Sequence, residues 1–245
     1  MKNTTTLFLI IIMIILSFGA LADEYDDAVY QLNRGEFKTA ISLLEPLVEE
    51  GYAPAQYQLA LIYQKGLGVR KDKKKAFELL TQAAEQNYPD AQFELANIYS
   101  EGKVVKKDLK KAFELTKKAA KKGLASAQYN LGVMYYNGTG VTQDDLQASK
   151  WYQKAADQNY ALAQYNLALM YYDGKGVPHS TLMSYVWNII AARNGYPDAA
   201  KSRDMDERKL SVKDIAKGRE KADAIHKRIV QQAELKARLA NQKAY

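Results

Sequence analysis

The chain is poor in the residues that most often carry chemistry. Among 245 residues there is no cysteine, and there are only two histidines. The absence of cysteine excludes disulfides, thiol catalysis and every thiolate metal site. His179 and His226 stand far apart, so a histidine-rich metal centre is not expected either. The phosphate-binding patterns G-x-G-x-x-G and G-x-x-x-x-G-K-[ST] are missing, as is the nucleophile elbow G-x-S-x-G. His226 falls in a charged stretch without an evident serine partner. His179, in Pro178-His179-Ser180, reads as a solvent-exposed loop histidine. The carboxylate pair Asp144-Asp145 falls where a helix begins, and the cap and dipole account for it. Nothing here points to an enzyme, a metal or a cofactor. The apolar share of 47% argues against global disorder, so a folded chain is expected.

The formal charge is +7, from 35 basic and 28 acidic residues. Such a balance suggests nucleic acid or a membrane surface only if the charge is concentrated. Residues 23–54 carry eight acidic and two basic side chains, and residues 201–245 carry seven acidic and thirteen basic. The stretch between them is basic mainly in residues 91–126. There Lys103, Lys106, Lys107, Lys110, Lys111, Lys117, Lys118, Lys121 and Lys122 crowd together. No base-reading motif accompanies these lysines.

Residues 1–22 read as a signal peptide. Lys2 and a polar stretch precede twelve residues from Leu7 to Phe18, apolar but for Ser17, and Gly19-Ala20-Leu21-Ala22 supplies a small-x-small cleavage site. Twelve residues fall short of the ~20 that span a bilayer. Export to the periplasm or beyond is therefore expected, with membrane contact at most peripheral.

The rest of the chain is organised by a repeat. Ala55-Gln56-Tyr57-Gln58-Leu59-Ala60-Leu61-Ile62-Tyr63 recurs as Ala91 to Tyr99, Ala127 to Tyr135 and Ala163 to Tyr171, always 36 residues on. Gly66, Gly102, Gly138 and Gly174 keep the same offset, as do the alanine pairs beginning at Ala83, Ala119, Ala155 and Ala191. Each copy reads as two helices. The glycines end the first, and Asp72, Asp108, Asp144 or Ser180 caps the second. Asn87, Gly123, Asn159 and Gly195 stop it. A lone helix pair cannot bury its apolar face, so the copies must stack.

The pattern A-x-Y-x-L-A/G-x-x-Y-x-x-G-x-G-V-x-x-D-x-x-K-A-x-x-W-x-x-K-A-A closely resembles the Sel1-like repeat of the tetratricopeptide superfamily. The third copy fits best, through Leu131, Gly132, Tyr135, Gly138, Gly140, Val141, Asp144, Ala148, Trp151, Lys154, Ala155 and Ala156. The second departs at Val104, where glycine is usual, and the fourth at Ser180, Met183 and Ser184. The resemblance implies an all-α solenoid, a right-handed α/α superhelix. Its parts are an opening tetratricopeptide-like unit at 23–54, repeats at 55–90, 91–126, 127–162 and 163–198, and a basic helical cap or tail at 199–245. Within that tail, Asp204 to Leu210 reads as a connecting helix. Ile215, Ala222, Ile225, Ile229 and Ala233 form a thin apolar stripe beyond it.

Repeats of this family are known as protein-interaction scaffolds, which implies a monomeric, non-enzymatic binding role. The first helices would line the concave surface with Tyr57, Phe93, Tyr129 and Tyr165. Asn97, Asn130, Asn166, Tyr136 and Tyr172 stand nearby, and rings with amides suit a peptide partner. Tyr136 and Tyr172 are the sharper candidates, because the same position holds Gln64 and Ser100 in other copies. Tyr63, Tyr99, Tyr135 and Tyr171, present in every copy, read as core. No lysine or arginine occupies the matching positions, so a carboxylate clamp of the tetratricopeptide kind gains no support. An alternative is a peripheral adaptor holding anionic envelope components through Lys103, Lys106, Lys107, Lys110 and Lys111 of the second repeat and through the basic tail. A β-lactam-binding hydrolase is implied only by cysteine-rich relatives, whose cysteines this chain lacks.

Overall fold

The structure, a computed structural model, describes residues 21–243, with side chains through residue 239. The expected signal peptide, apart from Leu21 and Ala22, lies outside the described residues. Every regular element among them is helical. They are α1 (residues 21–33), α2 (Phe37–Glu49), α3 (Ala53–Lys65), α4 (Lys73–Glu85), α5 (Pro89–Glu101) and α6 (Leu109–Lys121). Then follow α7 (Ala125–Asn137), α8 (Asp145–Ala156), α9 (Ala161–Asp173), α10 (Thr181–Arg193), α11 (Pro197–Glu207) and α12 (Val212–Lys243). Helices α2 to α5 pack consecutively in one compact unit that ends at Asp108, and α6 to α11 do so in a second that begins at Leu109. The architecture is that of an all-α repeat solenoid.

Local chemistry sets the helix ends where the repeat placed them. Gly66, Gly102, Gly138 and Gly174 terminate the first helices in the left-handed conformation. Asp72 accepts from the backbone N–H of Lys74 and Lys75, Asp144 from Gln147, and Ser180 from Met183. Each such cap is worth about 1 kcal/mol. Asn87, Gly123, Asn159 and Gly195, all at positive φ, close the second helices.

The alanine that opens the motif (Ala55, Ala91, Ala127, Ala163) is fully buried in every copy, which lets neighbouring helices approach closely. The glutamine after it is buried as well, and it acts as a backbone tie. Gln92, Gln128 and Gln164 donate to the carbonyls of Ala84, Ala120 and Ala156. In return, Gln56 accepts from Gln86, Gln128 from Gln158, and Gln164 from Asn194. One side chain thus joins its own helix to the helix before it and to the turn that ends the helix after it.

The loops after α7 and α9 also lock repeats together. A Cβ at Gly140 would sit 2.1 Å from the Leu109 carbonyl oxygen, and one at Gly176 only 2.0 Å from that of Asp145. These loops press directly on the first turn of the preceding second helix. Val104 occupies the same position in the second copy. There the loop instead borders a cavity shared with Lys73 and Ala76 of α4.

The last part of the chain differs from the sequence expectation. The connecting helix starts at Pro197, not Asp204, and ends at Glu207. Pro197-Asp198-Ala199 repeats the start Pro89-Asp90-Ala91, so α11 is the first helix of a fifth, degenerate unit. Ala199 is fully buried, as its counterparts are. Helix α12 packs on α10 through Ala222 and Ile229, with Gly218 lying under the Tyr185 ring. Arg193 pairs with Asp223, Arg219 with Glu207, and Arg228 with Asp157. Ala233, placed in the apolar stripe from sequence, is exposed.

Candidate functional site

In the second unit, two cavities open at equivalent places on the face of the first helices. One, of about 110 Å³, is lined by Tyr136, Tyr152, Asn166, Leu169, Met170, Asp173 and Lys175. The other, about 120 Å³, lies between Leu169 and Tyr172 of α9, Ser184 and Asn188 of α10, and Ser202, Met205 and Asp206 of α11. Shifting Tyr136, Tyr152, Asn166, Leu169 and Met170 by 36 residues gives Tyr172, Asn188, Ser202, Met205 and Asp206, so this is one feature of the repeat seen twice. Leu169 borders both. At 40% exposure it joins Tyr172 and Met205 in an apolar rim that water can reach.

The two cavities differ in chemistry. Tyr152 and Met170 floor the first, with the Tyr152 hydroxyl raised well above its ordinary range by burial. The second has Asp206, only 2% exposed, whose Oδ2 accepts from Ser184 Oγ at 2.7 Å and from Asn188 Nδ2 at 2.9 Å. Burial pushes this carboxyl above the usual aspartate range, against the opposing pull of those two donors and of Lys209.

Tyr136 and Tyr172 stand at these cavities, and each carries a lysine. Lys175 Nζ donates to the Tyr136 hydroxyl at 3.1 Å and lies 5.4 Å from its ring centre. Lys209 Nζ donates to the Tyr172 hydroxyl and lies 4.5 Å from its ring centre. His179 Nδ1 donates to the Tyr172 carbonyl oxygen at 2.6 Å. The first helices supply no cation at these positions, but the segments after α9 and α11 do. Sequence position alone could not bring those lysines here.

The other expected ring contacts serve the stack itself. Tyr57 packs on Tyr88, Tyr129 on Tyr152 and Tyr160, and Tyr165 on Tyr196, with ring centres 4.7 to 5.7 Å apart. Burial pushes the Tyr57 hydroxyl up to about 12. Asn166 donates to the Tyr129 hydroxyl at 3.4 Å, while Phe93 and Asn130 are half-buried. These rings join one repeat to the next. The invariant tyrosines are packed too: Tyr99 meets Phe77 edge-on and Tyr135 meets Phe113.

The first unit has its own cavity at the matching place, about 220 Å³, lined among others by Gln64, Glu94, Asn97, Ser100, Glu101 and Val104. Asn97 thus borders an opening, but this one is polar. Burial raises the Glu94 carboxyl, and a hydrogen bond from Gln64 opposes the shift.

Four successive segments, 53–88, 89–124, 125–160 and 161–196, match the sequence profile of the Sel1 repeat. The chain belongs to the Sel1 repeat family. Solved Sel1 structures share its fold. A Sel1 repeat protein from Oxalobacter formigenes is 27% identical over 71% of each chain, with a TM-score of 0.67. The second, c5321, is described as a protective antigen present in uropathogenic Escherichia coli strains displaying an SLR fold. It is 31% identical, with a TM-score of 0.74 over 93% of this chain and 49% of that one. This chain therefore spans about half the length of c5321. A search of curated proteins finds no match. Sel1 repeats act as protein–protein interaction scaffolds, and this chain carries four of them.

The lysine-rich Sel1 segment is exposed at Lys103, Lys106, Lys107, Lys110 and Lys111, and Lys103 pairs with Glu101 at 3.3 Å. Among the described residues, no helix is long and apolar enough to cross a membrane, and no cluster of three metal-ligating side chains occurs. Sequence reasoning missed the trio Ser184, Asn188 and Asp206. The signal was there in the 36-residue register, which continues through Ala199 and places Asp206 opposite Ile62, Ile98, Met134 and Met170.

Proposed function

We propose that this chain is an exported, non-enzymatic scaffold that holds a protein or peptide partner against the first-helix face of its second unit. The adjoining pair of cavities sharing Leu169 carries the reading, because small apolar-rimmed hollows one repeat apart suit successive side chains of one bound segment. Rings at Tyr136 and Tyr172 supply area, and Asn166 supplies an amide for a partner backbone. Residues 1–22 support export, as does the likeness to a protective antigen.

A photo-crosslinking residue in place of Tyr172 should trap the partner, whereas one at Val212, 86% exposed on α12, should not. With the trapped protein purified, Tyr136→Ser and Tyr172→Ser should weaken its binding at least fivefold, about 1 kcal/mol, with the thermal transition unmoved. Equal loss of stability would make both rings structural and remove the reading. Salt separates it from the adaptor reading. A steep fall in affinity with added salt would favour the exposed lysines of the second repeat, and a shallow one the face described here.

A further inference from the structure

We propose that the cavity between α9, α10 and α11 is a recognition pocket for a protonated primary amine, filled by a lysine side chain of the protein partner. The proposal rests on the interaction-scaffold reading and names the chemistry of one contact.

Three positions that build the core elsewhere in the stack turn polar together here. Ser184 stands where other copies have Ala76, Ala112 and Ala148. Asn188 stands where they have Leu80, Thr116 and Tyr152, and Asp206 replaces Ile62, Ile98, Met134 and Met170. All three are at most 2% exposed, and they converge from two helices on one 120 Å³ space. A repeat has no need of a buried carboxylate at a position that isoleucine or methionine fills four times. Burying one costs stability unless it is matched.

The match inside the protein is incomplete. Asp206 Oδ2 takes the hydroxyl of Ser184 and the amide N–H of Asn188. That commitment fixes the Asn188 amide with its nitrogen toward the carboxylate, and it leaves Oδ1 buried without a donor. The cavity is therefore lined by a carboxyl group and by a residue whose buried amide oxygen has no donor. A group with several donors, no acceptor and a positive charge answers both, which describes an ammonium. An anion is repelled by Asp206, and a neutral alkyl group would leave the Asn188 oxygen orphaned.

The rim fits the stem of the same side chain. Leu169, Tyr172 and Met205 expose apolar surface at 40%, 37% and 59%, as an alkyl chain with a charged tip requires. A volume of 120 Å³ equals about four waters at ~30 Å³ each, room for the end of a lysine. Of the neighbouring charges, Glu207 is turned to Tyr185 and Arg219. Lys209 is held at the Tyr172 hydroxyl, where its charge competes with an arriving amine.

The test uses Nα-acetyl-lysine-N-methylamide with the full chain, following the Trp187 indole and Asn188 amide signals by NMR. Saturable shifts at millimolar concentration are expected, and none with the isosteric neutral norleucine derivative. Asp206→Asn should weaken binding at least tenfold. Met205→Ser, an exposed change that leaves the core alone, should weaken it a few-fold, and Lys209→Met should tighten it. Equal response to the norleucine derivative, or Asp206→Asn without effect in a folded protein, would overturn the proposal. Cadaverine binding more than tenfold tighter than the lysine derivative would overturn the lysine assignment in favour of a free diamine. The outcome is independent of the scaffold reading. Amine binding with no protein trapped at Tyr172 would remove that reading and keep the pocket. A trapped protein with no amine response would do the reverse.

Discussion

Replacing Gly176 by alanine tests how the repeats are locked, because two distinct costs fall on one atom. The residue sits at φ +64, where an L side chain is strained by roughly 1 kcal/mol. The added Cβ would also lie 2.0 Å from the Asp145 carbonyl oxygen and 2.4 Å from its carbon. A comfortable carbon–oxygen contact is about 3.3 Å, so the loop must retreat by more than 1 Å from the first turn of α8. That retreat breaks the bond from Ser149 Oγ to the Gly176 carbonyl, 3.0 Å long, and leaves a hydroxyl in a buried residue less well satisfied, at about 1 kcal/mol. Lost packing around the displaced loop adds ~1 kcal/mol, for a total of about 3 kcal/mol. Gly195→Ala is the control. Gly195 has φ +81 and nothing within 4 Å of an added Cβ, so it should cost only the backbone strain. Both changes lie in the second unit, which also contains both tryptophans, Trp151 and Trp187, so fluorescence during urea unfolding reports the affected unit. A gap of about 2 kcal/mol between the variants is expected. Equal costs would refute the claim that close approach, and not backbone conformation alone, requires glycine there.

The remaining predictions concern buried polar groups. Gln164→Leu should cost roughly 1–3 kcal/mol, because it removes one hydrogen bond each from the Ala156 carbonyl and the Asn194 amide, leaving both with Asn159 alone. Gln92→Leu should cost less, since Gln92 Oε1 already lacks a partner; chemical denaturation of both variants decides, and a costlier Gln92→Leu would contradict the tie. The raised pKa of Asp206 means the folded state holds its proton more tightly than the unfolded state. Its contribution to stability is thus full below the ordinary aspartate range and lost as pH rises through the folded value. Melting curves should show Asp206→Asn gaining on the parent as pH rises from about 3.5 to about 7, and the opposite trend would contradict the burial argument. Restoring the repeat's own residues in the triple variant Ser184→Ala, Asn188→Leu, Asp206→Met should raise stability by about 1–4 kcal/mol, as replacing a buried polar network by apolar side chains commonly does. A destabilised triple variant would show the trio to be a structural tie.

The fold was legible in the sequence because each repeat states its own boundaries several times over. Gly66 and its counterparts, the caps Asp72, Asp144 and Ser180, and the left-handed Asn87 and Asn159 all lie where local chemistry alone predicts them. The glutamine ties were not legible, since a polar side chain after alanine reads as surface until the third helix is in place. Helix α11 escaped for a related reason. Its leucine, alanine and tyrosine positions hold Arg203, Asp204 and Glu207, so only the Pro197-Asp198-Ala199 start preserves the pattern. Lys175 and Lys209 reach Tyr136 and Tyr172 across 39 and 37 residues, by tertiary approach that no motif encodes.

Repetition also makes departures from the pattern interpretable. The same cavity position holds Tyr152 and Met170 in one place and Asn188 and Asp206 in the next, on nearly the same backbone frame. Where the frame is shared, fold requirements are shared, so they cannot explain the difference. A residue present in all copies, such as the buried Gln56, Gln92, Gln128 and Gln164, is accounted for by the stack. A buried carboxylate present in one copy is not. By the same logic, Tyr57, Tyr129 and Tyr165 belong to the joints between repeats, because each meets a further tyrosine at the N-cap of the next first helix. The specificity of this Sel1 protein should therefore reside at the positions where its copies disagree.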